Sequence, residues 1–172
     1  MSTERTGVIT FQGGALTLIG EELKAGDSAP DFNLINSSLE PVNLASSAGK
    51  VRLISVVPSL DTAVCSDQTK RFGEALKSFP ETVQVYTVSL DLPFAQTRWC
   101  GAEGVEITTL SDHRERSFGS SYGVLIKELM LLTRAIFVID RTDRVAYVEV
   151  VSEVTEHPDY DAAISAVVAA VG

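Results

Sequence analysis

Apolar and polar positions along the chain follow two different periods. Near the amino terminus, residues 8–11 and 15–19 are short strand-forming runs, and residues 12–14 between them contain two glycines that suit a tight turn. The chain is therefore expected to open with a β-hairpin. Further on, residues 51–57 are almost continuously apolar. This pattern predicts a strand that is covered on both faces of a sheet and ends at Pro58.

A helix is predicted after this strand, because the apolar positions change period. Phe72, Ala75, Leu76 and Phe79 recur at the spacing of a helix that packs on a core. Pro80 is expected to close the segment, because proline cannot continue a helix.

Strands and helices alternate through the rest of the chain. The other predicted elements are strands over residues 31–35, 83–89, 107–110, 135–139 and 145–150, a short helix from Pro93 to Cys100 that ends at Gly101, and a terminal helix with apolar residues Tyr160, Ala163, Ile164, Val167, Val168 and Val171. This order predicts an α/β fold with a mixed central sheet flanked by helices, which is the thioredoxin-like layout. We expect residues 1–172 to form a single domain.

Composition restricts the possible partners. The 172 residues carry a formal net charge of -9, and the basic residues are scattered singly, so a nucleic-acid partner is not expected. No run reaches the ~18 consecutive apolar residues of a membrane span. The first residues also lack the apolar centre of a signal peptide. We therefore expect a cytoplasmic protein that does not bind membranes.

The candidate chemistry centres on Cys65 and Cys100, the only cysteines of the chain. Cys65 follows the buried strand at the predicted start of a helix, where the helix dipole and free backbone N–H groups favour a thiolate. In a reducing compartment, two cysteines are more often catalytic, redox-active or simply buried than a structural disulfide. His113 and His157 lack the spacing of a zinc site, and we expect no metal.

Pro58, Thr62 and Cys65 fit the pattern P-x-x-x-T-x-x-C. This pattern resembles the signature of the peroxiredoxins, which are peroxidases that use a cysteine and no prosthetic group. The segments 55–65 and 91–104 are similar to those of the bacterial thiol peroxidase subfamily, the atypical two-cysteine peroxiredoxins. The resemblance therefore implies the thioredoxin-like fold and an enzyme without a cofactor.

The resemblance also implies an activity. Cys65 would be the peroxidatic cysteine, which reduces hydrogen peroxide and alkyl hydroperoxides to water and alcohols and becomes a sulfenic acid. Cys100 would be the resolving cysteine, which forms an intrasubunit disulfide with Cys65. Thioredoxin would then reduce that disulfide, and the protein would form a homodimer.

Three further residues are candidates for the peroxide site. Thr62 lies three residues before Cys65, so its hydroxyl can turn toward the sulfur, cap the helix, or do both. Arg134 opens an apolar strand, and its guanidinium is suited to holding a thiolate and an oxygen. An arginine in that position is more often simply solvated, and the resemblance reverses this expectation. Pro58 is expected both to shield the sulfur and to end its strand.

Apolar residues near these positions are expected to line a substrate pocket. The candidates are Phe94, Trp99, Leu125, Ile126, Leu129, Met130, Leu131 and Leu132. Most of them are expected to belong to the core. The apolar run 124–132 is alternatively interpreted as a subunit contact. The sequence does not decide between these two roles.

Two other function classes stay open at this point. A general thiol-disulfide oxidoreductase shares the fold, but it normally carries its cysteines as C-x-x-C at one helix start. Cys65 and Cys100 are too far apart in sequence for that motif. A redox sensor would use a disulfide to change a partner surface without turning over peroxide. An assay of steady-state peroxide turnover discriminates between these possibilities.

Overall fold

The computed structural model describes residues 2–172. In chain order its elements are β1 (Glu4–Phe11), β2 (Gly14–Ile19), β3 (Leu34–Ile35), β4 (Pro41–Val42), a 3-10 helix (Leu44–Ser47), β5 (Val51–Val56), α1 (Ala63–Leu76), β6 (Val83–Ser89), α2 (Pro93–Glu103), β7 (Thr108–Ser111), α3 (Ser117–Ser121), β8 (Leu125–Ile126), β9 (Leu131–Leu132), β10 (Ala135–Ile139), β11 (Val145–Val150) and α4 (Tyr160–Val171). The predicted alternation of strands and helices is confirmed.

Within residues 2–172, the strands form two sheets. The larger one has the order β11-β10-β5-β6-β7-β3-β4, with β5, β6 and β7 parallel and β10 and β11 antiparallel. Every residue of β5 is buried, as its continuous apolar run predicted. The smaller sheet has the order β1-β2-β8-β9 and contains the predicted amino-terminal hairpin. The mixed central sheet is therefore confirmed.

Side chains that alternate along β5 supply two separate cores. Leu53 belongs to a cluster with Phe72 of α1 and Val167 of α4, so these helices cover one face of the sheet. Ile54 belongs to a second cluster that includes Phe118 of α3. The sheet is consequently covered on both sides, and the carboxyl end of β5 leads directly into the segment before α1.

Two helix ends differ from their predictions. α1 ends at Leu76, so Phe79 lies beyond the helix, although it still packs against the first cluster. α2 runs through Gly101 to Glu103 and ends at Gly104 in the left-handed conformation, with φ 65. Glycine adopts that conformation without the steric cost of a Cβ. The predicted end of α2 at Gly101 was therefore wrong.

The strand predicted over residues 31–35 is shorter in the structure, where only Leu34–Ile35 pairs. The Asp31 side chain accepts hydrogen bonds from the backbone N–H groups of Phe32 at 2.9 Å and Leu44 at 3.0 Å. Such bonds from a side chain to the backbone compete with a strand ladder. The extended pairing therefore begins only after this turn.

The terminal helix α4 matches its prediction with one exception. Ala163 and Val167 are buried against the sheet, whereas Val168 is 61% exposed and lies off the packed stripe. In the part of the chain that the structure describes, no helix combines the length and the apolar character needed to cross a membrane.

Candidate active site

Cys65 lies in the first turn of α1. Thr62 is the N-cap residue, with extended backbone angles of φ -109 and ψ 148, and its carbonyl accepts the N–H of Ser66 at 2.9 Å. The chain reaches this turn directly from β5 through Pro58. Cys65 is fully buried. Its sulfur is therefore held near the positive end of the helix and away from bulk water.

Arg134 brings a buried positive charge to this sulfur. Its Nη2 donates to Cys65 Sγ at 3.3 Å, its Nη1 to Gln68 Oε1 at 2.9 Å, and its Nε to the carbonyl of Val154 at 3.0 Å. Gln68 Nε2 in turn donates to Ser55 Oγ at 2.7 Å. The guanidinium is consequently fixed in orientation. A guanidinium donor stabilises an anionic sulfur more strongly than a neutral thiol.

Gln68 and Ser55 are two site residues that the sequence analysis did not identify. Both are fully buried. Gln68 lies one turn after Cys65, on the side of α1 that faces β5. A buried glutamine on the apolar side of a helix needs hydrogen-bond partners. This requirement was the one sequence signal that pointed to Gln68.

Thr62 and Pro58 both line a pocket next to Arg134. The Thr62 hydroxyl donates to the carbonyl of Ser59 at 3.0 Å. Across residues 2–172, it accepts no capping hydrogen bond from the first turn of α1. Because a hydroxyl has one hydrogen and two lone pairs, its acceptor sites stay open to a ligand in the pocket.

This pocket has a volume of about 220 Å³, and its wall is mostly apolar. The residues that line it are Phe11, Pro58, Thr62, Ala63, Val64, Arg134, Val154 and Thr155. The structure thus brings three of the predicted site residues, Pro58, Thr62 and Arg134, around one opening. Cys65 is not among the lining residues, but its sulfur lies at hydrogen-bond distance from Arg134, which is one of them.

None of the apolar residues proposed from the sequence lines this pocket, although Trp99 lines a neighbouring depression that also includes Thr62. Leu125, Ile126 and Leu132 are buried in the core, because the run 124–132 pairs with the amino-terminal hairpin as β8 and β9. Phe94 is instead 67% exposed. Trp99 packs in a cluster with Val57, Leu60 and Cys65. The pocket wall is built in their place by the hairpin and by the loop after β11, which approach only in the folded chain.

Cys100 lies in α2 and packs against the same apolar cluster as Cys65. Both thiols are free. Partial burial raises the pKa of the Cys100 thiol, so the neutral form predominates near neutral pH. Cys100 also borders a different depression of about 320 Å³, lined by Asn36, Ser37, Thr97, Ile107, Thr108 and Thr109.

Two ion pairs join the α1 region to α2. Arg98 Nη2 lies 2.8 Å from Asp61 Oδ1, and Lys70 Nζ lies 2.5 Å from Glu103 Oε2. Asp61 precedes α1, Lys70 lies within it, and both partner residues belong to α2. The pairs therefore connect the two helices that carry the cysteines.

Comparison with known proteins agrees with this geometry. A family model described as Redoxin matches residues 24–164. The thiol peroxidase of Halalkalibacterium halodurans is 58% identical over 163 residues, which cover 94% of this chain and 98% of that protein. The thiol peroxidase of Bacillus subtilis is 55% identical over 159 residues, 92% of this chain and 95% of that protein. A peroxiredoxin-like protein from Aquifex aeolicus has a crystal structure with a TM-score of 0.88 and 40% identity over 98% of each chain. The chain therefore belongs to the redoxin family, and within it to the thiol peroxidases of the peroxiredoxin type.

Proposed function

We propose that Cys65 is the nucleophile with which this thiol peroxidase reduces peroxides. The contact between Arg134 Nη2 and Cys65 Sγ at 3.3 Å carries the proposal, because a fixed guanidinium beside a buried sulfur favours the thiolate that attacks an O–O bond. The sulfur bonds to one peroxide oxygen as the O–O bond breaks. The other oxygen takes up a proton and leaves as water or an alcohol, and Cys65 becomes a sulfenic acid.

Thr62 and Arg134 are proposed to align the peroxide. A peroxide O–H can donate to the open acceptor sites of the Thr62 hydroxyl. Arg134 uses three of the five N–H groups of a guanidinium in its bonds to Cys65, Gln68 and Val154. The other two N–H groups can donate to the peroxide and stabilise the charge that develops on the departing oxygen. Pro58 forms part of the wall that limits access of water.

The pocket favours an organic peroxide as one substrate class. Its apolar wall, which includes Phe11 and Val154, can bury an alkyl group at about 25 cal/mol for each Å² removed from water. Hydrogen peroxide needs only the polar groups at the sulfur. We therefore propose that both hydrogen peroxide and alkyl hydroperoxides are reduced.

We propose Cys100 as the resolving cysteine. Its sulfur attacks the sulfenic sulfur of Cys65, a disulfide forms, and water leaves. The two residues pack against one apolar cluster, but Cys65 is fully buried in the first turn of α1, whereas Cys100 borders a separate depression beside α2. The first turn of α1 and part of α2 must therefore unwind for the disulfide to form within its narrow geometric limits. A thiol reductant, for which we propose thioredoxin, then restores both thiols by exchange.

We also propose that residues 1–172 act as one domain of a cytoplasmic homodimer. Leu92 is 51% exposed and Phe94 is 67% exposed at the start of α2. Two exposed apolar side chains two residues apart suit a protein interface. A reducing compartment suits the cycle because the resting enzyme needs both thiols free.

The experiment follows loss of hydrogen peroxide and cumene hydroperoxide in the presence of a thioredoxin reducing system. Cys65→Ser should lose peroxide reduction. Cys100→Ser should consume one equivalent and stop as a sulfenic acid. Thr62→Val should slow the first step about ten-fold, because it loses the hydroxyl but keeps the shape. Turnover retained by Cys65→Ser would refute the assigned nucleophile, and a wild type that stops after one equivalent would indicate a redox sensor.

A further inference from the structure

The Glu153 carboxylate joins two segments of the chain that are distant in sequence. Its Oε1 accepts hydrogen bonds from the N–H of Gly13 at 2.9 Å and the hydroxyl of Thr10 at 3.1 Å. Its Oε2 accepts from the N–H of Thr155 at 2.8 Å and the hydroxyl of Thr155 at 2.7 Å. One oxygen therefore holds the tip of the β1–β2 hairpin, and the other holds the loop after β11.

Both segments supply walls of the pocket beside Arg134. Phe11 lies between the hairpin residues Thr10 and Gly13, and Thr155 belongs to the loop. Phe11 is 42% exposed, so core packing does not fix its ring completely. The backbone and hydroxyl hydrogen bonds from Thr155 and the backbone bond from Gly13 hold the pKa of Glu153 at about 2. The carboxylate is consequently ionised wherever the enzyme works.

We propose that Glu153 is a positioning residue that holds the Phe11 wall against the loop and thereby determines the preference for bulky alkyl hydroperoxides over hydrogen peroxide. This role rests on the proposed function, because it requires that peroxides reach Cys65 through the pocket beside Arg134. Glu153 acts through Phe11 and Thr155, and it is not among the residues that line the pocket.

Glu153 and Arg134 share one contact, because the Val154–Thr155 peptide accepts from Arg134 Nε through its carbonyl and donates its N–H to Glu153 Oε2. The other bonds of the reactive centre do not depend on Glu153. Arg134 is fixed by Gln68 Oε1, and its carbonyl accepts the N–H of Val151 at 3.0 Å. The N–H of Val154 also donates to the carbonyl of Thr10 at 2.9 Å. These bonds do not involve the Glu153 side chain. Its loss should therefore loosen the apolar wall without moving the guanidinium from the sulfur.

The test compares Glu153→Gln with Glu156→Gln, a matched control in which an exposed carboxylate three residues later is changed in the same way. Glutamine keeps one acceptor oxygen and replaces the other with an amide that cannot accept. The rate constant for oxidation of the reduced enzyme is measured in single turnovers with cumene hydroperoxide and with hydrogen peroxide. Glu153→Gln should react about ten-fold more slowly with cumene hydroperoxide, the effect of losing about 50 Å² of apolar contact. Its rate with hydrogen peroxide should stay within about two-fold, which also shows that the variant is folded.

A double-mutant cycle with Phe11→Ala tests whether Glu153 acts through the wall. If it does, Phe11→Ala and the double variant should show the same loss with cumene hydroperoxide, because the second change removes an interaction that is already lost. Additive losses, an equal slowing with both peroxides, or an unchanged Glu153→Gln would each overturn the proposal. Cys65→Ser distinguishes this failure from that of the proposed function, because it tests the nucleophile without changing the wall.

Discussion

Replacement of Arg134 by methionine tests the central contact of the site. Methionine has nearly the same length but carries no charge and no donors. The variant therefore loses the hydrogen bonds to Cys65 Sγ, Gln68 Oε1 and the Val154 carbonyl together. Arg134 is 2% exposed, so water cannot easily replace the missing donors. Both the reactivity of the sulfur and the stability of the fold should change.

The expected magnitudes follow from the three bonds. A hydrogen bond to a charged group contributes about 2 kcal/mol, so losing the one to the sulfur should slow oxidation by peroxide about 30-fold. The two orphaned oxygens on Gln68 and Val154 destabilise the fold by about 1–3 kcal/mol each. Removal of a buried charge offsets part of this cost. We expect a net loss of about 2 kcal/mol in the free energy of unfolding.

The assay uses the only tryptophan of the chain. Trp99 packs in the same cluster as Cys65 and Cys100, so its fluorescence should report oxidation of the sulfur in rapid mixing with hydrogen peroxide. Urea unfolding measures stability separately. The control is Arg141→Met, the same change at an exposed arginine whose Nη2 donates to the carbonyl of Val171. It should leave the oxidation rate unchanged.

A particular result would refute the reasoning about this contact. If Arg134→Met is folded under the conditions of the assay and reacts with hydrogen peroxide within about two-fold of the wild type, the guanidinium does not activate the sulfur. If Arg134→Met and Arg141→Met slow oxidation equally, the net charge of the protein controls the reactivity of the sulfur, and the contact between Arg134 and Cys65 does not.

Two further predictions concern resolution and pH. Asp61→Asn breaks the ion pair with Arg98. Because such exposed pairs contribute at most about 1 kcal/mol, disulfide formation measured by rapid quench should be about two- to five-fold faster. Glu74→Gln breaks the pair between Glu74 and Lys77 at the far end of α1, which does not involve α2, and should not change the rate. No acceleration in Asp61→Asn would argue against α1–α2 separation as the slow step. Burial raises the pKa of Asp112 to about 6, above about 3.9 for an unfolded chain. The protonated Asp112 carboxyl therefore stabilises the folded protein fully below about pH 4, and this stabilisation is lost as the pH rises through about 6. Relative to Asp112→Asn, the wild type should lose about 1–2 kcal/mol of unfolding free energy over that range; parallel urea profiles would contradict this.

The sequence predicted those parts of the fold that depend on local pattern. The structure confirms the elements that the apolar pattern predicted most directly, which are the amino-terminal hairpin, the buried strand β5 and the strand β6. The end of α2 was misplaced because Gly101 and Gly104 both satisfy the local preference for glycine at a helix end. Only Gly104 adopts the left-handed conformation, since the contacts of α2 decide which of them ends the helix.

Site residues that are close in sequence could be predicted, whereas those that come together only in the folded chain were harder to predict. Pro58, Thr62 and Cys65 are adjacent in sequence, and Arg134 was found through a family resemblance. Phe11 and Glu153 carry no local signal of their role, because the hairpin and the loop after β11 meet only in the folded chain. Arg52 illustrates the same limit: it is a charged residue in a buried strand, fully enclosed and paired with Asp143 at 2.7 Å.

Because Cys65 is fully buried in the resting enzyme, only small molecules can reach its sulfur without a change in the structure. A slender oxidant can approach through the opening between Thr62 and Arg134, whereas a folded protein such as a dithiol reductant is too large to follow. In the proposed cycle, reducing equivalents would therefore enter at partly exposed Cys100, after a disulfide has formed between it and Cys65. If Cys100 resolves the sulfenic acid as proposed, it would make the oxidation of buried Cys65 accessible to a protein reductant at the surface.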